Sequence, residues 1–167
     1  MDWKKFIVAV EKLGHAAETA LLVLILGSMT LLAFGQIVMR NFFDLGLQWG
    51  DELLRMLVLW LAVAGAVAAS RSDRHINIAV LDRFLSPGLK RVVQLLVRLF
   101  TAAICLIVAW FSWQFVQTSR EFGDLILGNV PAWYLQLVLP VGFALIGWRY
   151  TLFLLRGIYE LLVRKPE

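Results

Sequence analysis

Histidine is the residue in this sequence with the widest choice of chemistry, because its neutral imidazole ligates metals and a facing pair holds a haem iron. The chain has two: His15 precedes the first long apolar segment, and His75 follows the second. Both lie at the margin of those segments, where a hydrogen-bonded interfacial histidine is the simpler interpretation. A haem-binding anchor subunit of a redox complex is the alternative function. The single cysteine, Cys105, forms neither an intrachain disulfide nor a zinc site, so the sequence predicts no cofactor and no metal.

Ion-driven transport depends on another residue type, an ionisable side chain near the middle of a membrane-spanning segment. Away from the ends of the apolar segments, the polar candidates are four glutamines: Gln36, Gln114, Gln117 and Gln136. Neutral amides in such positions favour hydrogen bonds between helices. The sequence therefore predicts that the chain is not an enzyme, and it disfavours a carrier that transports solute by itself.

A charged cluster stands at the start of the second apolar segment. Its members are Asp51, Glu52 and Arg55, and spacings of three and four residues bring Arg55 beside both carboxylates on one helical face. Two hypotheses follow. Either the cluster is a local ion pair that lowers the cost of charge near lipid, or one carboxylate engages Arg40 or a partner subunit.

The elements that position these residues follow from composition. Of the 167 residues, 60% are hydrophobic and 17% are charged, whereas soluble domains have about 45–50% apolar and about 25% charged residues. About 20 apolar residues carry a helix across a bilayer. The sequence predicts an all-α membrane protein, a single domain over residues 1–167, with four transmembrane helices at about 16–39, 50–70, 92–119 and 127–149.

The positive charges of the flanking segments predict the topology. Lys and Arg counts alternate 3, 1, 5, 1 and 4 along the chain, and the richer segments face the cytoplasm. Both termini are therefore expected inside (N-in/C-in). The net charge of +4 is explained by this pattern and indicates no nucleic-acid partner. Amphipathic helices are predicted at 2–14 and about 75–86, lying on the cytoplasmic surface against phospholipid headgroups.

Aromatic residues and one proline are the remaining candidates. Trp60 stands just above a run of small residues over 62–70, which predicts close packing of the second span. Trp133 falls at a predicted outer boundary, where aromatic belts occur. Trp110 and Trp113 share one face of the third span, where they either pack inside the bundle or form a lipid-facing ridge against another membrane protein. Pro140 should kink the fourth span.

Several short motifs, in their order and spacing, resemble one known family. They are QIVMRNFF at 36–43, WGDELLR at 49–55, Trp60, Gly65, RHI at 74–76, VPAW at 130–133 and LPVGF at 139–143. The resemblance covers nearly the whole chain and is to the small membrane subunit (DctQ-like) of TRAP, or tripartite ATP-independent periplasmic, transporters. The segment Ser72-Asp73-Arg74 departs from the pattern, which leaves the resemblance largely intact.

The resemblance implies a multi-pass protein of the bacterial inner membrane. Its expected partners are a large membrane subunit in a one-to-one heterodimer, which holds the substrate and sodium sites, and a periplasmic substrate-binding protein that delivers organic acids. The small subunit is expected to be a non-catalytic scaffold that helps to form the docking surface. The resemblance matches Arg40, Glu52, Trp60 and His75 to recurring positions. The full set of structural or interfacial candidates is Arg40, Glu52, Arg55, Trp60, His75, Trp110, Trp113, Trp133 and Pro140.

Overall fold

A computed structural model describes residues 3–43, 46, 48–71 and 87–163. His75 and the predicted interfacial helix at 75–86 lie outside the described residues. Five helices and a short hairpin make up the described chain: α1 (Trp3–Phe43), α2 (Gln48–Ala69), α3 (Pro87–Phe122), β1 (Leu125–Ile126), β2 (Val130–Pro131), α4 (Ala132–Gln136) and α5 (Val138–Val163).

Four helical segments are long and apolar enough to cross a membrane, as the sequence predicts. These segments are Ala16–Phe43, Trp49–Ala69, Arg91–Phe122 and Ala132–Glu160. Their lengths of 28, 21, 32 and 29 residues all reach the approximately 20 residues that a span requires. The second span therefore includes the charged residues of its first turn.

The first helix is longer than predicted. α1 runs unbroken from Trp3 to Phe43, so the predicted helix at 2–14 does not end before the first span. The reason is that Gly14 is the one poor helix former at the predicted boundary, and its cost of about 1 kcal/mol does not stop a helix with good helix formers on both sides. The position of residues 2–14 on the membrane surface stays a prediction.

The fourth span begins later than predicted, and the expected helical start at residue 127 is wrong. Residues 125–131 form an antiparallel hairpin in which Ile126 pairs with Val130. Leu127 and Gly128 have φ angles of 55° and 88°, which no right-handed helix accepts. Pro131 also disfavours helical geometry at the residue before it, so the helix begins at Ala132.

Leu137 separates α4 from α5, but its φ of −56° and ψ of −22° are helical. The Leu137 amide donates to Trp133 O and the Val141 amide to Leu137 O, so the helical path continues through the junction. Pro140 lies three residues further on. It has no N–H to donate to the carbonyl of Gln136, and its ring crowds that same carbonyl. Pro140 therefore leaves the Gln136 carbonyl without its helical donor, and the kink predicted there stays a prediction.

The helices pack through small residues and a modest apolar core. α3 and α5 make the most extensive contact, while α2 packs on both α1 and α5. The core cluster consists of Val63, Val67, Ala102, Cys105, Ile146 and Tyr150. A Cβ atom at Gly142 would collide with Val63 Cγ1, and one at Gly147 would lie 2.9 Å from Leu106 Cδ2. These glycines allow α5 to approach α2 and α3, since close backbone approach drives helix association in lipid.

Candidate subunit interface and the polar clusters at its two ends

A charged cluster joins three helices at the end of the bundle where α2 stops; we call it the Glu18 cluster (Glu18, Ser70, Arg71 and Arg149). The Glu18 carboxylate on α1 lies between two guanidinium groups. Its Oε1 accepts a hydrogen bond of 2.8 Å from Arg149 Nη2, and its Oε2 pairs with Arg71. The three charged side chains are between 15% and 27% exposed, so water screens their attraction less than at an open surface.

The same arginines also satisfy backbone groups. Arg149 Nη1 donates to Val67 O at 2.6 Å and to Ser70 Oγ at 3.2 Å. Arg71 Nη2 donates to Gly14 O at 3.1 Å. The last carbonyls of a helix lack intrahelical donors, and a cation there also interacts favourably with the helix dipole. Arg149 therefore caps the end of α2 while binding Glu18.

The Glu18 cluster brings two positively charged side chains, Arg71 and Arg149, close together. Burial, and then the neighbouring charge of Arg149, lower the pKa of the Arg71 guanidinium from its usual value. Arginine remains protonated in proteins at neutral pH despite such shifts. Glu18 thus supplies the negative charge that two adjacent cations require.

A second set of polar contacts holds the hairpin at the opposite end of the bundle. Glu52 on α2 accepts a hydrogen bond of 2.8 Å from the amide N–H of Leu127. Further along the same helix, Trp60 Nε1 donates to Leu135 O at 2.9 Å. Both contacts join residues 75 positions apart. α2 therefore holds both the tip of the hairpin and the short helix after it.

The hairpin is also held from α3. Ser119 Oγ donates to Asp124 Oδ2 at 2.8 Å, and the amide of Ala132 donates to Asp124 O at 2.9 Å. The guanidinium carbon of Arg120 lies 5.4 Å from the centroid of the Trp133 ring, within the range of a cation–π interaction. These contacts fix the chain at its exit from α3 and at its entry into α4.

Comparison with known proteins assigns the chain to a family. Residues 29–160 match the family described as "Tripartite ATP-independent periplasmic transporters, DctQ component". The chain belongs to the DctQ family. The match includes α2, the hairpin and every described candidate residue from Arg40 to Pro140.

Three relatives of this DctQ-family chain illustrate the range of similarity. A TRAP transporter small permease protein of Haemophilus influenzae is 30% identical over 117 residues, which are 68% of this chain and 73% of that protein. The C4-dicarboxylate TRAP transporter small permease protein DctQ of Pseudomonas aeruginosa is 28% identical over 134 residues, 78% of this chain and 63% of that protein. The ectoine TRAP transporter small permease protein TeaB of Halomonas elongata is 25% identical over 100 residues, 59% of this chain and 52% of that protein.

The DctQ-family chain spans less than two thirds of the Pseudomonas and Halomonas proteins. Their names also refer to chemically different substrates, a dicarboxylate and ectoine. All three relatives are named as small permease proteins of TRAP transporters. The shared property is therefore the kind of subunit, and the substrate varies within the family.

The structure separates the charged candidates that were predicted together. In the described chain, no ion pair joins Arg55 to Asp51 or Glu52, and Glu52 binds the amide of Leu127. Neither hypothesis for the cluster foresaw this contact. Arg40 is exposed in the last turn of α1.

The aromatic candidates divide between the surface and the hairpin. Trp110 and Trp113 are 62% and 45% exposed and line an open groove between α3 and α5. Pro140 is buried beside this groove and also lines it. Trp133 stacks on Tyr134 with ring centroids 3.6 Å apart. Trp60 is partly buried against α4.

Sequence reasoning missed the Glu18 cluster. Its signal was present, since Glu18 is the one acidic residue between Glu11 and Asp44, at the edge of an otherwise apolar run. A carboxylate in such a position requires a partner. Arg71 and Arg149 were counted only as topology signals. In the described part of the chain, no three His, Cys, Asp or Glu residues lie together as metal ligands would.

Proposed function

We propose that this chain is the non-catalytic small permease subunit of a sodium-driven TRAP transporter for organic acids. In this role it scaffolds the large membrane subunit and helps to form the docking surface for the periplasmic substrate-binding protein. The observation that carries the proposal is the DctQ match over residues 29–160, together with the distribution of polar contacts.

That distribution suits a scaffold. The Glu18 cluster and the Glu52 contact lie at opposite ends of α2. The first joins three helices, and the second joins α2 to the hairpin. The core between them is apolar. A translocation pathway needs ionisable or backbone groups that line a cavity near mid-depth. The substrate and sodium sites are therefore assigned to the large subunit.

The apolar surface supports a partner within the membrane. In the most apolar part of α1, 6% of the residues are buried inside the chain. Trp110, Trp113 and the neighbouring Val141 are exposed along the groove between α3 and α5. Ala109 and Ala144 also line this groove, and small residues allow another helix to approach closely. We assign this groove to the large subunit, in a one-to-one heterodimer, and the remaining apolar surface to phospholipid.

The orientation in the bacterial inner membrane follows the positive charges of the flanking segments. Both termini and the Glu18 cluster are on the cytoplasmic side in this proposal. The hairpin at 125–131 is then periplasmic, on the side where a soluble substrate-binding protein approaches. Arg40, at the end of α1, belongs to this periplasmic side, and His75 belongs to the cytoplasmic loop.

Co-purification tests the proposal. A tag on this chain, expressed with the membrane protein encoded beside it, should recover a one-to-one complex. In liposomes, uptake should require the complex, the binding protein and an inward sodium gradient. Transport by this chain alone would refute the proposal, and a haem absorbance band in the purified complex would support the redox alternative.

A further inference from the structure

The hairpin has little internal structure of its own. Its two strands contain two residues each, Leu125–Ile126 and Val130–Pro131. A two-stranded hairpin is marginally stable in water without further contacts. The conformation of this segment therefore depends on the groups that hold it from outside.

Leu127 is the position where such support is most needed. Its φ of 55° lies in the left-handed region, which a residue with a branched side chain adopts unfavourably. An unfavourable backbone conformation persists only where the surrounding contacts stabilise it enough to offset its cost. The contact at this residue is the hydrogen bond of 2.8 Å from its amide to Glu52, and a charged acceptor makes such a bond stronger than a neutral one does.

Glu52 differs from the other supports because it comes from a distant helix. Ser119 and Ala132 hold the two bases of the hairpin from adjoining segments. Glu52 instead reaches its tip from α2, 75 residues away in sequence. The carboxylate thus determines where the tip lies relative to the bundle.

We propose that Glu52 is a positioning residue, which holds the hairpin in the conformation that the soluble substrate-binding protein contacts. The inference rests on the proposed function, since it assigns one element of the docking surface. It goes beyond that function by naming the hydrogen bond between Glu52 and Leu127 as the contact that holds the hairpin in place. Glu52 then acts through the Leu127 amide, and its charge does not itself attract the partner.

The location and surface of the hairpin favour a soluble partner. Residues 123–131 connect the spanning segments Arg91–Phe122 and Ala132–Glu160, and in the proposed topology they form a loop outside the membrane. Leu125 and Val130 are nevertheless 59% and 39% exposed, and Asn129 is exposed between the strands. The register pairs Leu125 with Pro131 and Val130 with Ile126, so the Leu125 and Val130 side chains lie on opposite faces of the hairpin and each face presents an apolar side chain to solvent. Of the proposed partners, the binding protein is the one that reaches this surface from water.

Three variants of the reconstituted complex test the inference. Glu52→Ala removes the acceptor, Glu52→Gln keeps an oxygen that accepts the same N–H, and Asp51→Ala removes an equivalent exposed carboxylate from the adjacent position. Asp51 makes no hydrogen bond or ion pair with the described residues, so it is a matched control for charge. The readout is uptake as a function of binding-protein concentration. It yields a half-saturating concentration and a maximal rate.

We expect Glu52→Ala to raise the half-saturating concentration about tenfold, with an unchanged maximal rate and an unchanged yield of the complex. Glu52→Gln and Asp51→Ala should stay within about twofold of the unmodified complex, because each keeps the bond to Leu127. Faster hydrogen exchange of the hairpin amides should accompany the Glu52→Ala change alone. This pattern would support a positioning role.

Other results would overturn it. Equal effects of Glu52→Ala and Asp51→Ala would mean that charge acts directly on the partner. A lower yield of the complex would assign the hairpin to the large subunit. Faster amide exchange with an unchanged titration would mean that the hairpin is not a docking element. The proposed function is tested separately, by measuring whether uptake by the unmodified complex requires this chain and the binding protein.

Discussion

Glu18 on α1 and Arg149 on α5 are 131 positions apart in sequence, yet their side chains form a hydrogen-bonded ion pair of 2.8 Å. The same carboxylate pairs with Arg71 at the end of α2. One acidic side chain thereby connects three of the four spanning segments. Two charges of the Glu18 cluster, those of Arg71 and Arg149, were counted in the sequence analysis only as topology signals.

Removal of the carboxylate should destabilise the bundle. Glu18→Ala leaves two partly buried guanidinium groups close together without a counter-charge, and loss of one partner of a buried pair costs more than the pair itself contributes. We expect the free energy of unfolding to fall by about 2 kcal/mol, between the values for exposed and for fully buried pairs because these side chains are partly exposed. The measurement is denaturant titration in detergent micelles. Glu160, an exposed carboxylate on α5, is the control. An equal effect of Glu160→Ala would contradict a special role for the cluster.

A methyl group at Gly142 should separate α5 from α2. The new Cβ would collide with Val63 Cγ1, and overpacking of this kind costs about 1–3 kcal/mol. Gly142→Ala should therefore lower the thermal unfolding midpoint. Combination with Val63→Ala should recover part of the loss, because the second substitution removes the colliding atom. Simple addition of the two single effects would argue against direct contact.

Gly65 on α2 is the matched control for this prediction. A Cβ there would meet no heavy atom within 4 Å among the described residues. Alanine is the better helix former by about 1 kcal/mol, so Gly65→Ala should leave stability unchanged or raise it. A strong loss at Gly65 would place an unseen partner against this face.

The indole N–H of Trp60 should contribute to holding α4. Trp60→Phe keeps an aromatic ring but removes the donor to Leu135 O, at a cost of about 1 kcal/mol. The measurement is chemical denaturation of the purified complex, with Trp49→Phe as the control, since the Trp49 side chain is 44% exposed. If both substitutions have the same effect, the hydrogen bond is not the cause.

The groove between α3 and α5 should lose its partner when its aromatic rim is truncated. We expect Trp110→Ala and Trp113→Ala to reduce recovery of the large subunit in co-purification severalfold, because exposed aromatic side chains carry much of an interface. Phe111 has the same 62% exposure as Trp110 and lies on a neighbouring face of α3. Equal losses for Phe111→Ala and Trp110→Ala would mean that the groove is not the surface that contacts the large subunit.

The spanning helices were predictable, because a long uncharged segment in a bilayer has to satisfy its own backbone polar groups, as an α-helix does. α2 runs from Gln48 to Ala69, close to the predicted 50–70. The hairpin was not predicted, since Leu125, Ile126 and Leu127 are apolar and the predicted fourth span already begins at residue 127. Gly128-Asn129 before Pro131 was the available turn signal.

The polar contacts were harder to predict for a physical reason. Spacing within a helix places Arg55 beside Asp51 and Glu52, yet it carries no information on which distant backbone amide Glu52 reaches. The partners of Glu18 likewise come from two other helices, and their choice depends on how α1, α2 and α5 pack. Sequence patterns thus identify residues that need partners, whereas the packing of the bundle selects those partners.

The unbroken α1 has a mechanical consequence. A straight helix of 41 residues measures about 60 Å at 1.5 Å per residue, roughly twice the hydrocarbon thickness of a bilayer. A rigid rod of this length cannot both cross the membrane upright and rest its amino-terminal turns on the lipid. Either it bends near Gly14, or its first turns project about 20 Å beyond the membrane, where any tilt of the helix displaces them most. A spin label at residue 4, read for immersion depth, distinguishes the two.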